Sequence, residues 1–83
     1  MQIFIKGISR YANCNITTLN LMKKNDSVRT LYLIISNMFN IDPKDYYLYY
    51  NKILDFNSED LLQDYDIGQE STINLHFRFV NTV

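Results

Sequence analysis

One stretch of this chain carries the spacing of an amphipathic helix, and two-residue alternation governs most of the rest. Val28, Leu31, Ile35 and Met38 or Phe39 recur at three and four residues, which lines them up along one helical face. The same segment holds Leu31-Tyr32-Leu33-Ile34-Ile35, a continuous apolar run that by itself suits a buried strand. Three features decide for a helix over residues 28–39: Asp26 or Ser27 as N-cap, a twelve-residue span, and Asn40 at the C-cap position. Such a helix is about 18 Å long.

Around it lie strands. From Gln2 to Ile8, Ile3 and Ile5 point one way and Gln2, Phe4 and Lys6 the other, the period of a half-buried strand. Thr17, Leu19 and Leu21 repeat the pattern and predict the antiparallel partner. Gly7 to Asn15 reads as the turn between them, a loop longer than the usual two to five or so residues, roughly counted. Pro43 sets a turn, because its ring fixes φ and it has no N–H to donate. Tyr46 to Tyr50 then predicts a strand with Leu48 and Tyr50 inward and Tyr47 and Tyr49 outward. Ile53-Leu54 suits a short extra strand, Leu61-Leu62 with Asp64-Tyr65 a brief helical turn, and Ile73, Leu75, Phe77 and Phe79 a last strand.

The 83 residues make one small domain, residues 1–83, near the lower size limit for a self-sufficient core. Apolar residues at 47% supply that core without disulfides, and Cys14, the one cysteine, excludes an internal bridge and suits a reducing compartment. No apolar run nears the ~20 residues of a membrane span, and the start lacks a secretory layout. A net charge of -1 argues against general nucleic-acid binding. Asp55, Glu59, Asp60, Asp64, Asp66 and Glu70 crowd a stretch without Lys or Arg between Lys52 and Arg78. This reads first as a solvated loop region, and otherwise as a face for a basic partner.

Two segments carry a resemblance: Met1-Gln2-Ile3-Phe4-Ile5-Lys6, and Asp64-Tyr65-Asp66-Ile67-Gly68-Gln69-Glu70-Ser71-Thr72-Ile73-Asn74-Leu75. They resemble the first strand and the last turn-plus-strand of ubiquitin, and the likeness covers residues 1 to 79. It implies an α+β fold, the β-grasp, in which a mixed sheet of four to five strands wraps one helix. It also implies a packed Tyr65 whose hydroxyl bonds the backbone near residues 54 to 58, a structural role.

The departures from the family shape the functional expectation. The loop from Gly7 to Asn15 looks about four residues longer than the ubiquitin counterpart, which implies a different choice of partner. The family's main patch falls on Ile8, Tyr49 and His76, flanked by Tyr47 and Arg78; its second patch falls on Ile41, Phe77 and Phe79. Lys6 matches a chain-forming lysine and Lys52 does so approximately, whereas Gln69, Tyr32, Ile34 and Met38 stand where others would be. Where ubiquitin has Leu-Arg-Leu-Arg-Gly-Gly, this chain reads Arg78-Phe79-Val80-Asn81-Thr82-Val83. A side-chain-free backbone is what threads an activating enzyme's narrow channel, and no glycine lies after Gly68.

The resemblance therefore implies a non-conjugated, monomeric, intracellular domain of the cytoplasm or nucleus. Its partners would be ubiquitin-binding proteins or proteasomal receptors, with no nucleic acid, membrane or cofactor. Two alternatives stay open: a covalent modifier with an unusual or truncated C-terminus, and a structural subunit of a larger complex. Catalysis is not expected. Cys14, in a loop, and His76, on a strand, have nothing to orient or activate them as a pair. One Cys and one His also fall short of the three or four protein ligands of a zinc site, and no Gly-rich phosphate loop occurs.

Overall fold

The computed structural model describes residues 1–8 and 14–78, with Ile8, Cys14 and Asn15 described by backbone alone. Five strands and one helix follow in the order β1 (Ile3–Ile8), β2 (Cys14–Leu19), α1 (Val28–Phe39), β3 (Tyr46–Tyr50), β4 (Lys52–Leu54) and β5 (Thr72–Phe77). Two 3-10 turns, Pro43–Asp45 and Leu62–Tyr65, precede β3 and β5. The strands form one mixed sheet in the order β2-β1-β5-β3-β4. β1 and β5 run parallel at its centre, and every other neighbouring pair is antiparallel. This is an α+β fold of the β-grasp type.

Alternation sends every second strand residue toward the helix. Ile3, Ile5, Leu19, Tyr46, Leu48, Leu54, Ile73 and Leu75 meet Val28, Leu31, Tyr32 and Ile35 in a core closed by Met22, Leu62 and Ile67. Fully burying a large aliphatic side chain contributes about 1.5–3 kcal/mol, so these contacts hold the helix on the sheet. Ser27 is the N-cap, its hydroxyl accepting from the Thr30 N–H at 3.1 Å. Asn40 ends the helix in the left-handed conformation, at φ 58°, and its N–H returns to the Ser36 carbonyl. Asp26 serves the preceding turn instead, its carboxylate accepting from the Lys23 N–H at 2.8 Å.

Two buried tyrosines stitch helix to sheet. The Tyr32 hydroxyl accepts from the Leu48 N–H at 3.0 Å and donates to the Leu54 carbonyl at 2.6 Å. Leu48 and Leu54 are register partners, so the hydroxyl relays one rung of the β3–β4 ladder. The Tyr46 hydroxyl donates to the Tyr32 carbonyl at 2.8 Å, leaving the Ser36 hydroxyl, 2.7 Å away, as donor to it. The two rings stack with centroids 5.4 Å apart. Burial pushes both phenols above their ordinary pKa.

The structure corrects several expectations. Gly7 and Asn15 belong to the hairpin ladder, paired with each other, and Cys14 opens β2 opposite Ile8; the strands extend further because their backbones keep bonding past the polar side chains. The remaining connection, residues 9–13, lies outside the described residues, as does its length relative to ubiquitin's loop. Leu21 is 89% exposed, because β2 ends at Leu19 and a bend breaks the alternation; Met22 turns inward in its place. Met38 and Phe39 are exposed, since the helix's last turn buries nothing and the chain leaves it to bring Ile41 against the core.

Tyr65 is half-buried against the core, but its hydroxyl donates to Asp60 Oδ2 at 2.8 Å and not to the backbone of residues 54 to 58. That loop's backbone groups are engaged elsewhere: the Ser58 N–H donates to the Asp55 carbonyl at 3.0 Å, and the Phe56 carbonyl accepts from the Arg29 Nε–H at 3.3 Å. Hydrogen bonds from the Ser58 and Tyr65 hydroxyls lower the Asp60 pKa, while burial and then the Asp60 bond raise that of Tyr65. The acidic stretch is solvated, with all six carboxylate residues exposed. Several serve as local caps: Asp55 accepts from the Asn57 N–H and Asp64 from the Leu61 N–H.

Candidate functional site

The helix covers the sheet's inner face, so the outer face is where strand side chains meet solvent. Tyr47 and His76 are register partners on β3 and β5, and their rings stack at 5.2 Å with planes 25° apart. The Arg78 guanidinium lies 5.3 Å from the Tyr47 ring centroid, within cation–π reach. Two bonds hold Arg78 there: its backbone N–H donates to the Asp45 carbonyl at 2.8 Å, and its Nε–H to the Tyr46 carbonyl at 3.2 Å. The sequence delivers this group because β3 and β5 place Tyr47 and His76 in one cross-strand pair, where aromatic rings pack well.

Tyr49 follows on the same face, opposite Asn74, and is 40% exposed. Tyr47, Tyr49, His76 and Arg78 therefore share one surface. Ile8 ends β1, and its side chain lies outside the described residues. Of the second patch, Ile41 and Phe77 are each half-buried and packed on the core; Phe77 continues the inward series of Ile73 and Leu75. Phe79 lies outside the described residues.

Two aliphatic side chains extend the outer face beyond the expected patch: Ile16 at 62% exposure and Ile53 at 55%. Ile16 pairs with Lys6, and Ile53 with Tyr49. The signal for both is register. Once Leu19 is set opposite Ile3, Ile16 must share the face of Lys6.

A shallow open groove of about 290 Å³ lies to one side, lined by Pro43, Lys44, Asp55, Phe56, Asn57 and Arg78. Among the described residues, no cluster of His, Cys, Asp or Glu is placed to hold a metal ion. No helix among them is long and apolar enough to cross a membrane. No family model matches the chain, and no curated protein matches it significantly. Architecture alone sets the class: a β-grasp domain whose free sheet face carries aromatic, aliphatic and cationic side chains.

Proposed function

We propose that the chain is a ubiquitin-like interaction domain, bound non-covalently through Ile8, Tyr49 and His76 with Tyr47 and Arg78 beside them. The observation that carries this reading is the Arg78–Tyr47–His76 stack standing next to exposed Tyr49 on the sheet face away from the helix. Tyrosine and arginine are favoured anchors because they bring large contact areas and a polar end. The stack also fixes rotamers before a partner arrives, so less side-chain freedom is lost on binding.

The partners of this reading are ubiquitin-interacting helices, small helical ubiquitin-binding domains or proteasomal receptors, met in the cytoplasm or nucleus. The domain acts as a bound surface and not as an enzyme. Its non-conjugating character, part of the same proposal, rests on the glycine-free segment Asn81-Thr82-Val83, which stands where the family carries its diglycine.

Titration of the purified domain against a panel of ubiquitin-binding domains tests the proposal. Tyr49→Ala should weaken the complex by about 1–2 kcal/mol, between five- and thirtyfold in Kd. Absence of binding across the panel refutes the interaction reading. A thioester formed with an activating enzyme and ATP refutes the non-conjugating part.

A further inference from the structure

A single row of side chains crosses the outer face from edge to edge. The register sets Ile16 of β2, Lys6 of β1, Asn74 of β5, Tyr49 of β3 and Ile53 of β4 side by side. Ile16, Lys6, Tyr49 and Ile53 are all exposed, and Asn74 is half-buried. The chemistry of the row reads alike from either end. An aliphatic side chain comes first, then one half of a cation–aromatic pair, then an amide in the middle.

We infer that this face pairs with the same face of a second copy of the chain, about a two-fold axis running along β5. An isologous contact requires a surface complementary to itself, and this row meets that requirement. Under the axis, β2 stacks over the second copy's β4 and β1 over its β3. Ile16 meets the second copy's Ile53, the Lys6 ammonium meets the second copy's Tyr49 ring, and the two Asn74 amides meet each other. Lys over Tyr is a cation–π contact, and two primary amides can exchange a pair of hydrogen bonds across a two-fold. Thr72 and His76 lie along the axis on either side of Asn74.

Charge selects this orientation. The other in-plane two-fold, directed along the row, sets Lys6 against Lys6, and like charges directly opposed are destabilising. An axis along β5 also keeps the strands of the two sheets nearly aligned, the common geometry of stacked sheets about 10 Å apart.

Size limits the strength. Five strands about 4.8 Å apart, four of them about 17–20 Å long and β4 about 10 Å, offer a face of at most roughly 20 by 20 Å. That is about half the ~800 Å² per partner of a standard interface, so the pair is transient and depends on concentration. It does not rest on the receptor reading. Because it covers Tyr49, self-pairing and partner binding exclude each other.

Two measurements test it. In sedimentation equilibrium from about 10 μM to about 1 mM, a range suited to weak association, the average mass should rise toward two chains. Ile53→Lys should abolish the rise while leaving the thermal melt unchanged. In a Cys14→Ser background, Ile16→Cys protein mixed with Ile53→Cys protein under mild oxidation should yield the mixed 16-to-53 cross-link as the main product. Constant mass across the range overturns the proposal. So does a predominance of 16-to-16 or 53-to-53 products, or equal yields of all three.

Discussion

Tyr32→Phe removes one oxygen atom from the centre of the molecule, and the geometry around that atom sets the cost. The hydroxyl sits between the Leu48 N–H and the Leu54 carbonyl, at 3.0 and 2.6 Å, with Tyr32 almost wholly buried. Without it, two backbone groups lose their shared partner where water does not reach, and each buried unsatisfied group costs about 1–3 kcal/mol. Full loss of both is the upper bound; partial closure of the strands onto a direct rung recovers some of it. The expected loss is about 2–4 kcal/mol, against a total of about 4–12 kcal/mol for a domain of this length. That corresponds to a fall in Tm of at least about 8 °C. Urea denaturation followed by circular dichroism measures it, with the slope m expected to stay constant. Tyr46→Phe should cost less, about 1 kcal/mol, because it leaves only the half-buried Ser36 hydroxyl and a helix carbonyl to rearrange. A Tyr32→Phe loss under about 0.5 kcal/mol refutes the relay, since β3 and β4 would then close on each other unaided.

The remaining predictions concern the helix cap, alkaline stability and the outer face. Ser27→Ala removes the acceptor for the Thr30 N–H and should lower stability by about 1 kcal/mol in the same urea assay. Tyr32 and Tyr46 have raised pKa values, burial first among the causes, so they stay neutral in the folded state after the unfolded chain has begun to ionise. Their contribution is complete below about pH 10, the unfolded tyrosine value, and is lost as pH climbs through the folded values. The Tyr32→Phe, Tyr46→Phe double variant should accordingly show a shallower fall in stability above that pH. Arg78→Ala removes the cation over Tyr47 and should widen the mobility of the Tyr47 ring, read by NMR, while leaving the core intact.

The two ends of the helix are legible because capping is local chemistry: Ser27 and Asn40 mark α1 to the residue. The strands are legible wherever alternation persists, as in Ile3 and Ile5 or Ile73 and Leu75, since one face must reach the core. Legibility fails where a third element decides. Leu21 continues the periodic pattern, yet β2 stops at Leu19, and no pattern within the strand announces the bend. Met38 and Phe39 keep the helical spacing, but the core ends at Ile35 along that face and Ile41 fills the next position.

The patch shows the same division. Alternation along β3 is enough to place Tyr47 and Tyr49 outward. The stacking of Tyr47 on His76 under Arg78 depends on the β3–β5 register, which separation in sequence conceals. Ile16 and Ile53 join the face for the same reason. Tyr65 shows a limit of analogy: the ring packs on the core as the resemblance implies, while the hydroxyl donates to the Asp60 carboxylate and not to the loop backbone.

Mapping backbone amide shifts of the labelled domain during titration with a ubiquitin-interacting helix tests the central claim most directly. The account predicts saturable changes concentrated at Tyr47, Tyr49, Asn74, His76 and Arg78, with Leu33 and Asn37 on the exposed side of α1 unmoved. Changes centred on the helix, or none at a ligand concentration that saturates ubiquitin itself, would contradict it.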